Sequence, residues 1–152
     1  MNNELKELYQ QVILDHNKSP RNYGKPGEFN HSAEGYNPLC GDHVDVYLVV
    51  DEGIVKDVRF EGSGCAISKS SASLMTTIVK GKTVEEAESL FEDFHDLVTG
   101  KLTDEEKIAS LGKLGVFQGV RDFPARVKCA SLPWHTMKSA LRDEPTKVTA
   151  EP

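Results

Sequence analysis

No apolar run in the chain approaches the roughly 20 residues that a membrane-spanning helix needs, which excludes a helical membrane protein. Cysteine is scarce: Cys40, Cys65 and Cys129 are the only three in 152 residues. An odd count, widely spaced and without an export signal, does not make a disulfide framework. Basic charge is short as well, with 18 Lys and Arg against 24 Asp and Glu and a net charge of −6. A sequence-independent grip on nucleic acid depends on clustered cations that displace counterions, so nucleic acid is not an expected partner. The N-terminal stretch MNNELKELYQQ lacks the basic end and continuous apolar segment of a signal peptide, so the expected location is the cytoplasm. Internal repeats and low-complexity tracts are also missing.

What is present suits one globular domain, with 38% hydrophobic and 28% charged residues. That domain is expected over residues 1–142, with a disordered tail over 143–152. Leu5, Leu8, Tyr9, Val12 and Ile13 recur at helical spacing and predict a helix from Asn3 to about His16. Pro20, Gly24, Pro26 and Gly27 then predict a loop that continues to a hairpin. Its strands are His43 to Val50, alternating around Val44, Val46, Leu48 and Val50, and IVKDVRFE, with Ile54, Val58 and Phe60 on the inner face. Helices follow from Cys65 to near Gly81, from a Thr83/Glu86 capping box to Val98, from a Thr103/Glu106 box, and from Leu132 or Pro133 to Leu141. The order implies an α+β fold, a small antiparallel sheet covered on one face by helices.

The cysteines carry the chemistry, although their spacings match neither CxxC nor a zinc finger. Spacing alone leaves two readings open, convergence on one site or burial as small hydrophobes. In GSGCAISKSS, Cys65 follows two glycines where a strand gives way to a helix. Backbone N–H groups and the positive end of a helix dipole favour a thiolate there, which is a nucleophile or a metal ligand. In NPLCGDHVD, Cys40 and Asp42 stand two apart, so in extended chain they point the same way, with Gly41 leaving room between them. The alternative is that Gly41 and Asp42 only form a turn. Cys129, in ARVKCASLPW, reads as lying immediately before the last helix.

All three cysteines thus read as lying at element ends among polar residues or glycine, which favours a shared site. Cys40, Asp42, Cys65 and Cys129 would then form a tetrahedral set of three sulfurs and one oxygen suited to zinc. An iron–sulfur cluster is an alternative occupant that would use the same thiolates. With four positions filled, the site offers no place for water, so reactivity would require a ligand to leave.

Other polar residues read as structural. His16 closes the first helix, and alternation turns His43 to the strand face opposite Asp42. His95 and His135 fall on helices, and Ser68, Ser70 and Ser71 suit a helix surface or caps rather than a Ser-His-Asp arrangement.

The segments ILDHNKSPRNYG, LCGDHVDVYL, GSGCAISKSSASLM and RVKCASLPW together resemble the U-type iron–sulfur assembly proteins, and within them the SufU branch, from Leu8 to Leu141. The resemblance implies an α+β fold with helices on one side of a small sheet and a metal site exposed at one end. It also implies zinc held by Cys40, Asp42, Cys65 and Cys129, and a pyridoxal phosphate cysteine desulfurase (SufS-like) as partner. A histidine of that partner would displace Cys40, which would accept persulfide sulfur for the downstream iron–sulfur assembly machinery. Arg126 would contact the partner, steady the anions, or be a surface charge.

Two departures from the scaffold branch point the same way: Lys128 stands where scaffolds typically carry histidine, and FHDLVTGKLTDEEKIASLGKLG resembles the insertion of SufU-like members. The leading expectation is therefore a zinc-dependent sulfurtransferase that stimulates a cysteine desulfurase. A cluster scaffold and a binding module stapled by structural zinc are the alternatives.

Overall fold

The computed structural model describes residues 3–143 and 148–149. The chain runs α1 (Asn3–Lys18), β1 (His31–Asn37), β2 (Asp42–Asp51), β3 (Ile54–Ser63), α2 (Ala66–Val79), α3 (Val84–Thr99) and α4 (Glu105–Ser110). A 3₁₀ segment (Gly112–Asp122), α5 (Pro124–Leu141) and β4 (Val148–Thr149) complete it. The sheet order is β3-β2-β1-β4, antiparallel across the first three strands and parallel between β1 and β4. Of the tail expected to be disordered, Val148 and Thr149 pair with Gly35 and Tyr36, and residues 144–147 and 150–152 lie outside those described. Among the described residues, no helix is long and apolar enough to cross a membrane.

The β2–β3 hairpin turns on Glu52 and Gly53, both at positive φ (53° and 75°), as a two-residue turn matched to strand twist requires. Val44, Val46 and Leu48 are buried while His43, Asp45 and Tyr47 face outward, so alternation holds along β2. In β3 the parity differs from expectation: Val55, not Ile54, is buried with Val58 and Phe60, because the register shifts between Val49 and Val50. A bulge changes the face of every residue beyond it.

Helices α2 and α5 lie against the sheet's buried face, α1 covers α2, and α3 packs on α5 and the 3₁₀ segment. Tyr9, Val12 and Ile13 provide the packing side of α1; the side chains of Leu5 and Leu8 lie outside those described. Phe94 anchors the far side of the core, its ring centroid 4.8 Å from Trp134 and 5.6 Å from Phe117. The Thr83/Glu86 capping box forms in both directions, and Gly100 ends α3 in the left-handed region.

Three boundaries differ from the sequence-based expectation. HSAEGYN, read as loop, is β1, a strand whose inward positions Ala33, Gly35 and Asn37 are small or polar and so carry no hydrophobic alternation. The cap of α4 is Asp104 rather than Thr103, with its carboxylate accepting from the Glu106 and Lys107 N–H groups. Helix α5 starts at Pro124, eight or nine residues earlier than expected, and Pro133 lies inside it. Proline suits a helix start, but Pro124 fills that role here.

Candidate metal centre

The β1–β2 connection carries the first two candidate ligands. Its turn closes through the Gly41 N–H donating to the Asn37 carbonyl at 2.8 Å, with Gly41 at φ 74°. The Leu39 N–H donates to Asn37 Oδ1 at 3.1 Å. Cys40 is thereby held at an exposed tip beside Leu39, which is 68% exposed. Two residues on, Asp42 opens β2 and is fully buried, whereas Cys40 lies in the turn and is exposed, so the backbone between them is not the extended chain expected from the sequence.

GSGC delivers the third. Gly62 (φ 147°) leaves no room for a Cβ against the His43 carbonyl, and at Gly64 a Cβ would lie 2.6 Å from Asp42 Oδ1. With both positions bare, the Cys65 N–H reaches Asp42 Oδ1 at 2.9 Å. Cys65 is the N-cap of α2, its sulfur accepting from the Ser68 N–H at 3.5 Å. The helix-terminus environment expected for this thiol is thus present.

Cys129 comes from within α5 rather than from a position preceding it, and it is only 4% exposed. Its sulfur lies 3.7 Å from Cys40 Sγ and 3.7 Å from Asn37 Nδ2. The ligand atoms of Cys40, Asp42 and Cys129 all lie within 4.8 Å of one another. The Cys65 thiol is outside that trio, though its charge bears on Cys129. Burial above all, then hydrogen bonding to Asp42 and the charge and hydrogen bond of Cys65, pushes the Cys129 thiol far above its ordinary range. Thiolates and a carboxylate this close cannot all ionise without a cation.

Two of the sulfurs stand at the spacing that a zinc ion requires. Zn–S bonds of about 2.3 Å at tetrahedral angles put two ligand sulfurs about 3.8 Å apart, and Cys40 and Cys129 stand at 3.7 Å. No disulfide joins them; all three cysteines are free.

The remaining expected residues fall around this centre or away from it. Arg126 is exposed and stacks on Phe123, its guanidinium carbon 4.5 Å from the ring centroid. His43 faces the opposite side of the sheet, with Nε2 2.9 Å from Glu34 and 3.7 Å from Asp45. His16 is buried in a structural role, Nδ1 sitting 2.7 Å from Ser73 Oγ. His95 and His135 lie on α3 and α5, with ring centroids 5.9 and 5.1 Å from that of Phe91. Ser68, Ser70 and Ser71 are buried rather than on a helix surface, because α2 is sandwiched between α1 and α5. Ser71 ties two helices by donating to the Ala130 carbonyl at 2.6 Å.

Asn37 was missed by sequence reasoning. It is 1% exposed, and its carboxamide nitrogen lies 3.3 Å from Asp42 Oδ2 as well as near Cys129. The available signal was local: asparagine three residues before a cysteine, followed by proline, is a turn-forming pattern.

The fold and the site define an α+β protein that presents a cluster of thiols and a buried carboxylate at one end of its sheet. The chain belongs to the NifU-like N-terminal domain family, whose model matches residues 8–130. It is 43% identical to the zinc-dependent sulfurtransferase SufU of Bacillus subtilis, over 94% of this chain and 95% of that one. It is 41% identical to the iron-sulfur cluster assembly scaffold protein IscU of Thermotoga maritima, over 90% and 94%. A crystal structure from Fervidobacterium islandicum, described as a candidate scaffold of the SUF system, aligns with a TM-score of 0.80 at 38% identity, covering 89% of this chain and 97% of that one. The protein is accordingly a U-type iron–sulfur cluster assembly protein, with the α+β fold expected from its sequence.

Proposed function

We propose that the protein is a zinc-dependent sulfurtransferase that accepts persulfide sulfur from a cysteine desulfurase and so supplies iron–sulfur assembly. Cys40, Asp42, Cys65 and Cys129 would hold the zinc. Bound there, the ion would offset the clustered negative charge and keep the thiolates ionised. The observation that carries the reading is the placing of Cys40 at an exposed turn, whereas Cys65, also exposed, caps α2 through the Ser68 N–H, and Asp42 and Cys129 are buried.

Of the two exposed thiols, Cys40 is the one whose sulfur accepts no N–H among the described residues. Its thiolate attacks the terminal sulfur of the desulfurase persulfide, forming one S–S bond as the partner's S–S bond breaks. The partner's cysteine leaves as a thiolate, so the exchange is redox-neutral. Asp42, Cys65 and Cys129 stay in place and keep the site assembled. Lys128, where scaffolds of the family carry histidine, supports sulfur transfer over cluster building.

The test is alanine formation from cysteine by the cognate desulfurase, with and without zinc-loaded protein in iron-free buffer. Acceleration that saturates with added protein and disappears in Cys40→Ala is the expected result. Equal acceleration by Cys40→Ala would sink the mechanism. The name of the Thermotoga relative supports a second reading, a scaffold on which a cluster forms. Anaerobic reconstitution that gives a brown protein able to pass its cluster to an apo acceptor would favour it.

A further inference from the structure

Three candidate thiolates converge here, and their hydrogen bonds differ. Cys65 Sγ accepts from a backbone N–H, that of Ser68 at 3.5 Å. Cys129 Sγ lies 3.7 Å from the Asn37 amide nitrogen. The Cys40 sulfur is met only by the Cys129 thiol among the described residues. An N–H donor draws electron density from a thiolate and fixes its direction, so two of the sulfurs are restrained and the third is not.

The orientation of Asn37 follows from its surroundings. One end of the side chain meets a donor, the Leu39 N–H at 3.1 Å, and must be the oxygen. The other end meets only acceptors, Asp42 Oδ2 at 3.3 Å and Cys129 Sγ at 3.7 Å, and must be the NH2 group. Its two N–H bonds suffice for both. The same residue's carbonyl accepts the Gly41 N–H at 2.8 Å, so its backbone closes the loop that displays Cys40. Because Asn37 is 1% exposed, water does not compete for these bonds.

We propose that Asn37 is a positioning residue of the metal centre: its carboxamide clamps Asp42 and Cys129 as permanent ligands and leaves Cys40 as the one free to depart. The inference rests on the metal-centre reading above. With Cys65, also exposed, held by the Ser68 N–H, it leaves Cys40 as the acceptor. Leu39 N–H and the turn serve display, whereas the amide N–H groups serve retention.

The two roles separate by substitution. Asn37→Ala removes the oxygen that meets the Leu39 N–H as well as the amide donors, keeping only the backbone bond to Gly41, while Asn37→Asp keeps an oxygen for the Leu39 N–H and removes the donors. Zinc affinity of the full chain is measured by competition with a chromophoric chelator, and the sulfur-to-cobalt charge-transfer band is recorded on cobalt(II)-loaded protein. Both variants are expected to bind zinc about 10- to 100-fold more weakly. Their charge-transfer bands shift to lower energy, because a thiolate without its N–H donor releases electrons more readily. Circular dichroism of the metal-free proteins reports folding, and Asn37→Asp remains informative if Asn37→Ala does not fold.

Unchanged affinity and band in Asn37→Asp would overturn the proposal, as would weaker binding with an unmoved band, which would make Asn37 a turn residue only. Neither measurement includes a desulfurase. Weaker zinc binding and a shifted band in the variants, alongside absent desulfurase stimulation by the wild type, would therefore remove the sulfurtransfer reading and leave the clamp on Asp42 and Cys129 standing. A wild-type chain that binds no zinc would remove both.

Discussion

Gly64 and Asp42 are matched by contact: a Cβ on Gly64 would fall 2.6 Å from Asp42 Oδ1 and 3.2 Å from its Cγ. The carboxylate has nowhere to retreat, since it is fully buried and bonded to the Cys65 N–H and the Asn37 amide. The absent side chain at position 64 is part of the site's geometry.

Gly64→Ala is therefore expected to displace Asp42 and separate it from the Cys65 N–H. Overpacking of this kind costs about 1–3 kcal/mol, and zinc affinity should fall at least about tenfold. Thermal unfolding and chelator competition measure the two effects. An alanine variant with wild-type zinc affinity would show that Asp42 does not ligate from this position.

Alkylation should distinguish the thiols. With zinc-loaded protein and iodoacetamide below stoichiometry, peptide mapping is expected to find Cys40 modified first. Cys129 should be last, because it is 4% exposed and held behind Cys40. Prior modification of Cys65 would shift the acceptor role to that residue.

Asp42→Asn tests charge without changing shape. Its side-chain oxygen still accepts the Cys65 N–H, while its NH2 now faces the Asn37 NH2, so circular dichroism first checks that the sheet and α2 form as in the wild type. Loss of the negative charge should lower zinc retention and, with it, desulfurase stimulation. A folded variant that has lost stimulation argues against zinc as a mere staple, whereas full stimulation would remove Asp42 from the ligand set.

His16 gives the fold a pH dependence. Burial first, then the nearby Arg21 charge, holds its pKa below the ordinary value of 6.5, with Asp15 opposing and Lys113 adding to the shift. A lowered folded-state pKa favours the neutral ring, so its stabilisation is complete above pH 6.5 and is lost as pH falls through the folded-state pKa. Urea midpoints of the metal-free protein should drop between about pH 7 and pH 5, and less so in His16→Gln. Identical slopes in the two proteins would dismiss His16 as the source.

Much of the fold was readable because its signals are local. The Thr83/Glu86 box, Gly100 after α3, the alternation along β2 and the Glu52–Gly53 turn each depend on residues a few positions apart. What was missed depends on neighbours distant in sequence. Strand β1 escaped notice because α5 packs against it so closely that Gly35 faces Leu132 and Thr136, leaving no space for the large apolar residues that mark a strand. Ser70 and Ser71 looked like surface residues, yet they lie between helices, where small side chains allow close approach and their hydroxyls bond to backbone carbonyls.

The candidate site divides along the same line. Residue chemistry alone put forward Cys40, Asp42, Cys65 and Cys129 as candidate ligands, since thiolates and a carboxylate are what zinc binds. That Cys129 is buried while Cys40 and Cys65 are exposed, and that Cys129 reaches Cys40 from inside α5, was decided only by tertiary packing, because residues 89 apart meet at 3.7 Å. Asn37 was decided there too: its amide meets acceptors only when strand β2 brings Asp42 and helix α5 brings Cys129 to its N–H bonds.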